Sequence, residues 1–386
     1  LYIVGSLTSD ILGAVIFGKK TSMSTHSKLL QPVMLSKTII IKNKQKTARN
    51  VAFWLAEVSR HVCLMSPVLL WLISMLTIGL ISTAQGSDFA KWRAELRLEA
   101  LSKGISEAIF DTAFINVAPI DRVIELDRNQ PEFTLTLATY LQKVVTGTRV
   151  SKARQLRETH KEILSEISNK YGVQSRFIVA LWGIETNFGQ HTGGFSVIAA
   201  LATLAYDGRR SAYFRKELLN ALKILEEGHI KSADMKGSWA GAMGQSQFMP
   251  SSFLNYATDW NGDGRRDIWT TQNDVFASIA NYLSSVGWRD DVTWGREVKL
   301  PASFDGDALS ESKTKKSMDE WRRLGITSVD GSSLPNRNLT SRLVKPAKSG
   351  GRVFLAYKNY DNILKWNRSN YFAIAVGSLA DKIGAQ

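Results

Sequence analysis

The sequence predicts a mainly helical protein of the α+β class, in which helical regions form the core and one small insertion contains β-strands. Apolar residues recur at helical spacing through most of residues 88–290, which favours helices there. Short alternating segments separated by Gly, Ser, Pro and Asp lie between about 291 and 360, which favours strands. With 386 residues, 44% apolar and 22% charged, the chain can bury a large core in two or three domains.

The N-terminal extension, residues 1–86, is predicted to end in a signal segment at about residues 62–86. No charged residue occurs from Val62 to Ser87, the middle of this run is strongly apolar, and Ser82-Thr83-Ala84 offers a cleavage pattern. These features indicate a secretory signal. An uncleaved anchor, which would associate the protein with the inner membrane, is the alternative.

The balance of charge is mildly basic. Residues 1–86 carry 9 basic and 2 acidic side chains and residues 87–386 carry 40 and 33, so each part contributes +7 to the net charge of +14. No lysine-rich run interleaved with aromatics occurs, so nucleic acid is not an expected partner. A polyanionic wall or membrane surface suits the positive sign of the net charge.

Because Cys63 is the only cysteine, an exported form would have no disulfide. Since the chain begins with Leu1, its first residues are interpreted as an upstream translation artefact or as the start of a fragment, with Met34 or Met65 as plausible translation starts.

Two helical regions follow the extension. Residues 87–170 are predicted to form a helical domain, and residues 171–290 a helical core that carries glycine-rich motifs. Amphipathic patterns in the first region cover residues 89–101, 106–111 and 151–171. Glycine-containing loops in the second region lie at residues 189–194, 237–244 and 261–264. We expect the chemistry to concentrate in those loops.

A small β-containing insertion is predicted at residues 291–360, and a C-terminal helix in residues 361–386. Alternating segments such as Glu297-Val-Lys-Leu300 and Arg352-Val-Phe-Leu-Ala-Tyr357 are typical of short strands. The stretch from Tyr371 to Ile383 has the apolar spacing of a helix. We expect this last helix to return and pack on the helical body.

Glu185 is the candidate catalytic acid. It ends an apolar run in which Phe177, Leu181 and Ile184 share one helix face, and a polar turn closed by Gly189 follows it. Partial burial disfavours the charged form of a carboxyl and raises its pKa, which suits a general acid that works near neutral pH. On this local pattern alone, a surface glutamate near a helix end is an equal alternative.

A second motif, Ser238-Trp-Ala-Gly-Ala-Met-Gly-Gln-Ser-Gln247, offers polar groups to a groove. Its small residues let the backbone approach a bound chain, and Ser238, Gln245 and Gln247 provide a hydroxyl and two amides. Glycan hydroxyls and N-acetyl groups are suitable ligands for such side chains. Tight helix packing through Gly241 and Gly244 is the alternative interpretation.

A third motif, Asp259-Trp-Asn-Gly-Asp-Gly-Arg265, matches the first half of a calcium loop. The oxygen ligands would be Asp259, Asn261, Asp263 and the Arg265 carbonyl, with a glycine at the sixth position. The twelfth position is a threonine rather than the usual glutamate, so another acid must close the site, and Asp274 is the candidate. A metal-free turn is the alternative.

These three motifs, in this order and spacing, resemble the lytic murein transglycosylase B family, glycoside hydrolase family 103. The resemblance covers residues 88–386 and is most specific in residues 171–290. It implies a lysozyme-like helical core with a helical domain and a small β domain around it. It also implies an enzyme that cleaves peptidoglycan between N-acetylmuramic acid and N-acetylglucosamine. From this and the signal segment at 62–86, we expect the protein in the periplasm. We expect a monomer that needs no cofactor for its chemistry, with calcium as a structural ion at most.

The resemblance carries family roles over to matching positions. The single catalytic glutamate of the family falls on Glu185, and its groove-lining serine and glutamine match Ser238 and Gln247. The family tyrosine of an Ala-Asn-Tyr motif, the asparagine of an aromatic-Asn-x-Ser motif and a tyrosine of the second domain match Tyr282, Asn367 and Tyr140. The family's calcium loop matches the residues named above, including Asp274.

Two positions depart from the family pattern. Trp366 stands where a tyrosine is common, and Phe372 stands where some members have a tyrosine. A hydroxyl role at either position is therefore lost in this chain.

A lone carboxyl indicates a lyase-type reaction rather than hydrolysis. Ordinary glycosidases use two carboxyls, and the nearest acids to Glu185 in sequence, Asp207 and Asp234, are interpreted as surface or capping residues. In the mechanism that the resemblance implies, Glu185 protonates the glycosidic oxygen and then takes the proton of the C6 hydroxyl, which closes a 1,6-anhydro ring. The alternatives are a muramidase-type hydrolase, a non-catalytic peptidoglycan-binding module and a calcium-dependent interaction protein.

Overall fold

The computed structural model describes residues 88–129, 135–302, 304–346 and 351–385. The chain divides into two compact units, and the described residues from Ala94 onward belong to one of them. Residues 88–93, which are the first residues of helix α1, are assigned to the second unit. The extension 1–86, with its predicted signal or anchor at 62–86, lies outside the described residues. In the described part of the chain, no helix has both the length and the apolar character that crossing a membrane requires.

Helices dominate the described residues, as predicted. They are α1 (88–102), α2 (Glu107–Ala113), α3 (Asp121–Arg128), α4 (Leu137–Val144), α5 (Gly147–Thr159), α6 (Lys161–Tyr171), α7 (Ser175–Thr186), α8 (Val197–Tyr206), α9 (Ser211–Glu226), α10 (Pro250–Tyr256), α11 (Gln272–Ser285), α12 (Gly306–Ser312), α13 (Met318–Arg323), α14 (Lys358–Trp366) and α15 (Asn370–Gly384). The predicted domain boundaries at 87–170, 171–290, 291–360 and 361–386 stay a prediction.

Ser and Thr side chains cap several of these helices. Thr146 accepts a hydrogen bond from the Arg149 N–H at the start of α5, at 3.1 Å. Ser369 accepts one from the Phe372 N–H at the start of α15, at 3.3 Å. Each cap satisfies an N–H that has no partner within its own helix, and so fixes where the helix begins.

Helix α7 lies at the centre of the helical body. Every residue from Phe177 to Thr186 is buried, so the single apolar stripe predicted for this run was too narrow. The C-terminal helix α15 packs against α7, and α5 and α11 also contact α7. Gly183 is required by close packing, since a Cβ there would lie 2.6 Å from the Phe188 ring. Glu185 lies near the end of this buried helix, one residue before Thr186.

The amphipathic stretch 151–171 is divided between two helices rather than forming one. Helix α5 ends at Thr159 and α6 begins at Lys161, because His160 leaves helical geometry with φ −104° and ψ 23°. The His160 ring packs edge-on against Trp182 and Phe276, with centroids 6.2 and 5.3 Å away. Tertiary packing of this ring accompanies the break, which periodicity alone does not reveal.

The larger sheet lies within residues 295–356. Its strands are β3 (Gly295–Lys299), β4 (Lys315–Ser317), β5 (Thr327–Ser328), β6 (Thr340–Val344) and β7 (Val353–Ala356). They pair antiparallel in the order β4-β6-β7-β3-β5, with Val353 opposite Val298 and Phe354 opposite Val344. Strand β7 is central and wholly buried, and Trp321 fills the core beside the sheet.

A second, two-stranded ladder joins the loops around the helical core. Strand β1 (Phe195–Ser196) pairs antiparallel with β2 (Lys236–Gly237), and Phe195 lies opposite Gly237. A Cβ at Gly193 would lie 2.2 Å from the Gly237 carbonyl oxygen, so only glycine permits this close approach. The ladder brings the loop after α7 next to the Ser238 motif.

Candidate active site

Glu185 lines a cavity of about 480 Å³. Glu185 is 8% exposed and lies in the last turn of α7. The other lining residues come from α9, α10, α11, the Ser238 motif and the end of α14; they are Arg210, Tyr213, Glu217, Gln247, Phe248, Met249, Ser251, Ser252, Tyr282, Lys365, Trp366, Asn367 and Arg368. A concave site with convergent polar and aromatic groups is a typical binding or catalytic cleft.

A tight left-handed turn ends α7 just after Glu185. Asn187, Phe188 and Gly189 have φ values of 50°, 63° and 80°. The Thr186 hydroxyl accepts a hydrogen bond from the Gly189 N–H at 3.0 Å and donates one to the Gln245 carbonyl at 2.9 Å. The turn is therefore tied to the second motif, and Glu185 is held on a rigid helix end.

The Glu185 carboxyl is bonded directly to an aromatic side chain. Nε1 of Trp366 donates to Oε1 of Glu185 at 2.7 Å. The Trp366 ring packs on Tyr282 and Phe248, with centroids 4.7 and 5.1 Å apart. Aromatic rings therefore hold the indole whose N–H points at the carboxyl.

Gln245 has an internal role in this structure. Its Oε1 accepts from Nε1 of Trp182 at 2.8 Å, and its Nε2 donates to the Trp269 carbonyl at 2.9 Å. Both ends of the amide are used beneath the cavity, and Gln245 lies outside the cavity lining. Its predicted substrate contact is not favoured by this geometry and stays a prediction.

The other two residues of the second motif differ from each other. Ser238 is 3% exposed, accepts a hydrogen bond from the Ala242 N–H at 3.1 Å and lies outside the lining. Gln247 lines the cavity, and its Nε2 donates to the carbonyls of Thr192 and Gly244 at 3.1 and 3.0 Å. Ser238 shapes the loop, whereas Gln247 reaches the cleft.

Of the other three predicted substrate-binding residues, Tyr282 and Asn367 line the cavity and Tyr140 does not. Tyr282 is 7% exposed, and burial raises the pKa of its hydroxyl, so it is a neutral group there. Asn367 follows α14, is 5% exposed and accepts a hydrogen bond from the Ser369 N–H at 3.1 Å. Tyr140 lies on α4, where its ring is 5.7 Å from that of Tyr371, outside the lining.

Sequence analysis missed a second buried carboxylate in the cavity. Glu217 is 2% exposed and shares the lining with Glu185. Arg210, Tyr213 and Glu217 recur at positions 210, 213 and 217, so one face of α9 meets the cleft. This helical spacing of polar residues beside an apolar face is the signal that could have identified them.

The calcium-type loop is held by its own carboxylates. Oδ1 of Asp259 accepts from the Gly262 N–H at 2.7 Å, and Oδ2 accepts from the Gly264 N–H at 2.8 Å. Asp274 is wholly buried and accepts from the N–H groups of Trp260 and Asp267, both at 2.8 Å. Burial raises the pKa of Asp274, and the nearby charges of Asp259 and Asp263 raise it further. The two hydrogen bonds lower this pKa but do not cancel the rise.

The donor set suits a divalent cation, although its side chains are not gathered as ligands here. Among the described residues, no group of three His, Cys, Asp or Glu side chains is arranged to hold a metal ion. Asp263 accepts from the Arg265 N–H at 2.9 Å, and Asn261 donates to Asp263 at 3.1 Å. The negative charges of Asp259 and Asp263 lie near the buried Asp274, and a bound cation would offset the repulsion among these carboxylates.

Comparison with known proteins shows a family match over most of the chain. The profile of the family described as transglycosylase SLT domain matches residues 88–381. Membrane-bound lytic murein transglycosylase B from Escherichia coli (strain K12) is 32% identical over 246 residues, 63% of this chain and 66% of that protein. The chain therefore spans just under two thirds of that relative's length.

Solved structures of bacterial enzymes share the fold. SltB3 from Pseudomonas aeruginosa, in complex with NAG-anhNAM-pentapeptide, matches with a TM-score of 0.74 and 44% identity over 77% of this chain and 80% of that one. A second SltB3 structure, with NAG-NAM-pentapeptide, gives the same values. The E. coli lytic transglycosylase Slt35 in complex with calcium has a TM-score of 0.66 and 26% identity over 76% and 92% of the two chains. These matches confirm the predicted fold class, a mainly helical, lysozyme-like architecture with small sheets.

Proposed function

Because the chain belongs to the transglycosylase SLT domain family, we propose that it is a lytic transglycosylase that cleaves peptidoglycan, with Glu185 as its only acid and base. The observation that carries the proposal is the place of Glu185, a nearly buried carboxyl at a helix end inside an aromatic and polar cleft. The bond cleaved is the β-1,4 linkage from N-acetylmuramic acid to N-acetylglucosamine. SltB3, at 44% identity, has been solved with NAG-anhNAM-pentapeptide and with NAG-NAM-pentapeptide.

In the first step Glu185 acts as a general acid. Its proton goes to the glycosidic oxygen, and that oxygen keeps the electron pair of the C1–O bond as the bond breaks. Positive charge develops at C1 of the muramyl ring, and the N-acetyl group of the substrate stabilises it. Gln247, Tyr282 and Asn367 line the cleft around the reacting sugars and hold them in place.

In the second step Glu185 acts as a general base. The carboxylate takes the proton of the C6 hydroxyl, and the C6 oxygen forms a bond to C1, which closes the 1,6-anhydro ring. No water is consumed, and Glu185 ends protonated, as it began, with the proton of the C6 hydroxyl in place of the one it gave to the leaving group. A single carboxyl is sufficient because the nucleophile belongs to the substrate.

Hydrolysis by a muramidase mechanism would need a second carboxyl to activate water. Glu217 is the only other acid in the described lining of the cavity. Its two oxygens accept hydrogen bonds from the N–H and the hydroxyl of Ser251, at 2.8 and 2.7 Å. A carboxylate committed to these two donors is a structural acceptor, which favours the lyase reaction over hydrolysis.

The test of the proposal is Glu185→Gln in the full chain. The amide keeps the shape of the side chain and loses the transferable proton, so turnover of purified peptidoglycan should vanish while the circular dichroism spectrum and Tm stay near wild type. Glu162→Gln, an exposed glutamate on α6, is the matched control and should retain full activity. Substantial turnover by the Glu185→Gln protein would remove Glu185 from its role.

We also propose that the loop 259–274 binds a structural Ca²⁺ through Asp259, Asn261, Asp263, the Arg265 carbonyl and Asp274. The donor set and the charges around Asp274 support this, as does Slt35, which has been solved with calcium. Bound calcium would offset the repulsion among these acids and stabilise the loop. No cofactor is proposed for the chemistry.

Thermal unfolding tests the calcium proposal without relying on activity. Tm should rise when CaCl₂ is added to chelator-treated protein, and Asp263→Asn should abolish the rise. Asp330→Asn is the control, because Asp330 stabilises an exposed turn through Ser332 outside the loop. An unchanged Tm over a wide range of calcium concentrations would contradict the proposal.

A peptidoglycan substrate also implies a location outside the cytoplasmic membrane. We propose export to the periplasm through the segment 62–86, cleaved as a signal or retained as an anchor. Fractionation of cells, with N-terminal sequencing of the product, distinguishes these two forms. Recovery of the active protein only from the cytoplasm would contradict export.

A further inference from the structure

Trp366 and Glu185 meet through tertiary packing of two helix ends. Trp366 is the last residue of α14, Glu185 is next to last in α7, and 181 positions separate them in the chain. The indole Nε1 lies 2.7 Å from Oε1 of Glu185, which is a strong hydrogen-bond distance. This contact puts one donor on one particular oxygen of the carboxyl.

The chemistry of the two groups decides where the proton of Glu185 resides. An indole N–H donates and cannot accept a hydrogen bond. A protonated carboxyl has a carbonyl oxygen, which is a good acceptor, and a hydroxyl oxygen, which is a poor one. The indole N–H therefore bonds to the carbonyl oxygen, and the proton is on the other oxygen. A tyrosine hydroxyl would not impose this order, because it can donate or accept.

We propose that Trp366 is a positioning residue for the acid–base steps, holding Oε1 of Glu185 as the carbonyl oxygen and assigning the transferable proton to Oε2. This inference rests on the proposed function and adds to it. In the first step the Oε2–H bond breaks and the proton goes to the glycosidic oxygen. In the second the C6 hydroxyl proton returns to Oε2 as the C6 oxygen bonds to C1. The indole N–H stays on Oε1 throughout.

Aromatic packing keeps the indole in this orientation. Its ring packs with Tyr282 and Phe248 in one aromatic cluster, at centroid distances of 4.7 and 5.1 Å, and Tyr256 packs on Tyr282 at 4.6 Å. The backbone after the ring is fixed as well, because the Asn367 N–H donates to the Ile363 carbonyl at 3.0 Å. These ring contacts oppose rotation of the indole away from the carboxyl.

Several charged and titratable groups face Glu185 and contribute to its pH response. Those that share its cavity are Arg210, Tyr213 and Glu217 from the start of α9, Tyr282 from α11, and Lys365 and Arg368 around the end of α14. On elements packed against α7, Arg149 of α5 bonds to Asn187 at 3.2 Å, His160 packs on Trp182, and Asp381 of α15 pairs with Arg176 at 3.3 Å. A test must therefore change the indole N–H and leave these groups in place.

The N–H stabilises the charged form of Glu185 more than the neutral form. When the N–H is removed, Glu185 stays protonated to higher pH. The alkaline limb of the kcat/KM profile, which reports loss of the acid, then moves upward. The plateau rate falls as well, because the carboxyl loses its orientation. A residue with only a structural role would lower the amount of folded enzyme and leave the limb unchanged.

The experiment measures kcat/KM against pH for release of soluble fragments from purified peptidoglycan. Trp366→Phe should move the alkaline limb up by about one pH unit and lower the plateau about tenfold, the scale of one charge-assisted hydrogen bond. Trp366→Tyr offers a hydroxyl that can donate or accept, so it should recover only part of the limb position and of the plateau. Benzothienylalanine at position 366 keeps the indole shape and replaces N–H by sulfur, so it should behave as Trp366→Phe even if the latter folds poorly.

Trp288→Phe is the matched control. Trp288 also donates its indole N–H to a side chain, Oε1 of Gln174 at 2.9 Å, but lies outside the cavity. The Trp288→Phe protein should be less stable than wild type, and the alkaline limb of its kcat/KM profile should stay at the wild-type pH. A wild-type limb and plateau in both the Trp366→Phe and the benzothienylalanine proteins would overturn the role of Trp366 while leaving the proposed function intact. Failure of the wild-type enzyme to release anhydro ends would overturn the proposed function itself.

Discussion

Both oxygens of the Glu217 carboxylate are bonded to Ser251, Oε2 to its backbone N–H at 2.8 Å and Oε1 to its hydroxyl at 2.7 Å. Ser251 lies in the first turn of α10, and the N-cap of that helix, Met249, provides no side-chain bond. Glu217 therefore caps α10 from α9, and the negative charge suits a helix N-terminus. The contact holds the Phe248 and Met249 side of the cleft in place.

Glu217→Gln should weaken this cap without changing the reaction. We expect the free energy of unfolding to fall by about 1–2 kcal/mol, as for a lost helix cap, and the products to remain anhydromuramyl. Denaturant unfolding and product analysis measure the two effects. Ser251→Ala, which removes only the hydroxyl bond, should have a smaller effect. A folded Glu217→Gln protein that is inactive would identify Glu217 as a second catalytic acid.

Gln245→Leu should impair both stability and activity. It leaves the buried Trp182 N–H without its acceptor, which costs about 1–3 kcal/mol, and it loosens the segment that Thr186 bonds beside Glu185. Gln174→Leu is a close control, because Gln174 likewise accepts an indole N–H and donates to backbone carbonyls, away from the cleft. We expect similar unfolding energies and a lower kcat/KM only for Gln245→Leu. Equal activities would separate Gln245 from the site.

Gly189→Ala should displace the Gln245 amide. Gly189 has φ +80°, and a Cβ there would lie 2.4 Å from Oε1 of Gln245. Gly208→Ala is the control, because Gly208 has φ +90° and nothing lies within 4 Å of its Cβ position. The control should lose about 1 kcal/mol from backbone strain, and Gly189→Ala about 1–3 kcal/mol more from the clash. Similar losses in denaturant unfolding would mean that the turn relaxes around the new methyl group.

His160 should make stability depend on mildly acidic pH. Burial against Trp182 and Phe276 lowers the pKa of its ring below the ordinary 6.5, so the folded state favours the neutral form. That stability is fully present above pH 6.5 and is lost as pH falls through the lower, folded-state pKa. His160→Phe should therefore show a flatter Tm profile between about pH 7 and 5. An unchanged slope would assign the pH dependence to other groups, such as His229, whose pKa burial also lowers.

The sequence carried the fold class and the place of Glu185 because both depend on local patterns. The apolar spacing of residues 177–184 placed α7, and the glycines after Glu185 marked the turn that ends it. Four predicted site residues, Glu185, Gln247, Tyr282 and Asn367, line one cavity. The extent of burial around α7 was not predictable, since it depends on which helices pack on every side.

What the sequence could not provide is the direction in which a side chain points. Gln245 and Gln247 are two positions apart, yet one binds Trp182 beneath the site and the other lines the cleft. Glu217 escaped notice because its partner, Ser251, is 34 residues away. The bond from Trp366 to Glu185 likewise depends on how α14 meets α7. Such contacts between distant residues arise only when the chain is folded.

The most direct test of the central claim, that a lone Glu185 closes an anhydro ring, is mass spectrometry of peptidoglycan fragments released by the purified enzyme. The account predicts that new muramyl ends carry the 1,6-anhydro ring and resist borohydride reduction. Fragments heavier by one water, with reducible muramyl ends, would show that the enzyme is a hydrolase and would contradict the account.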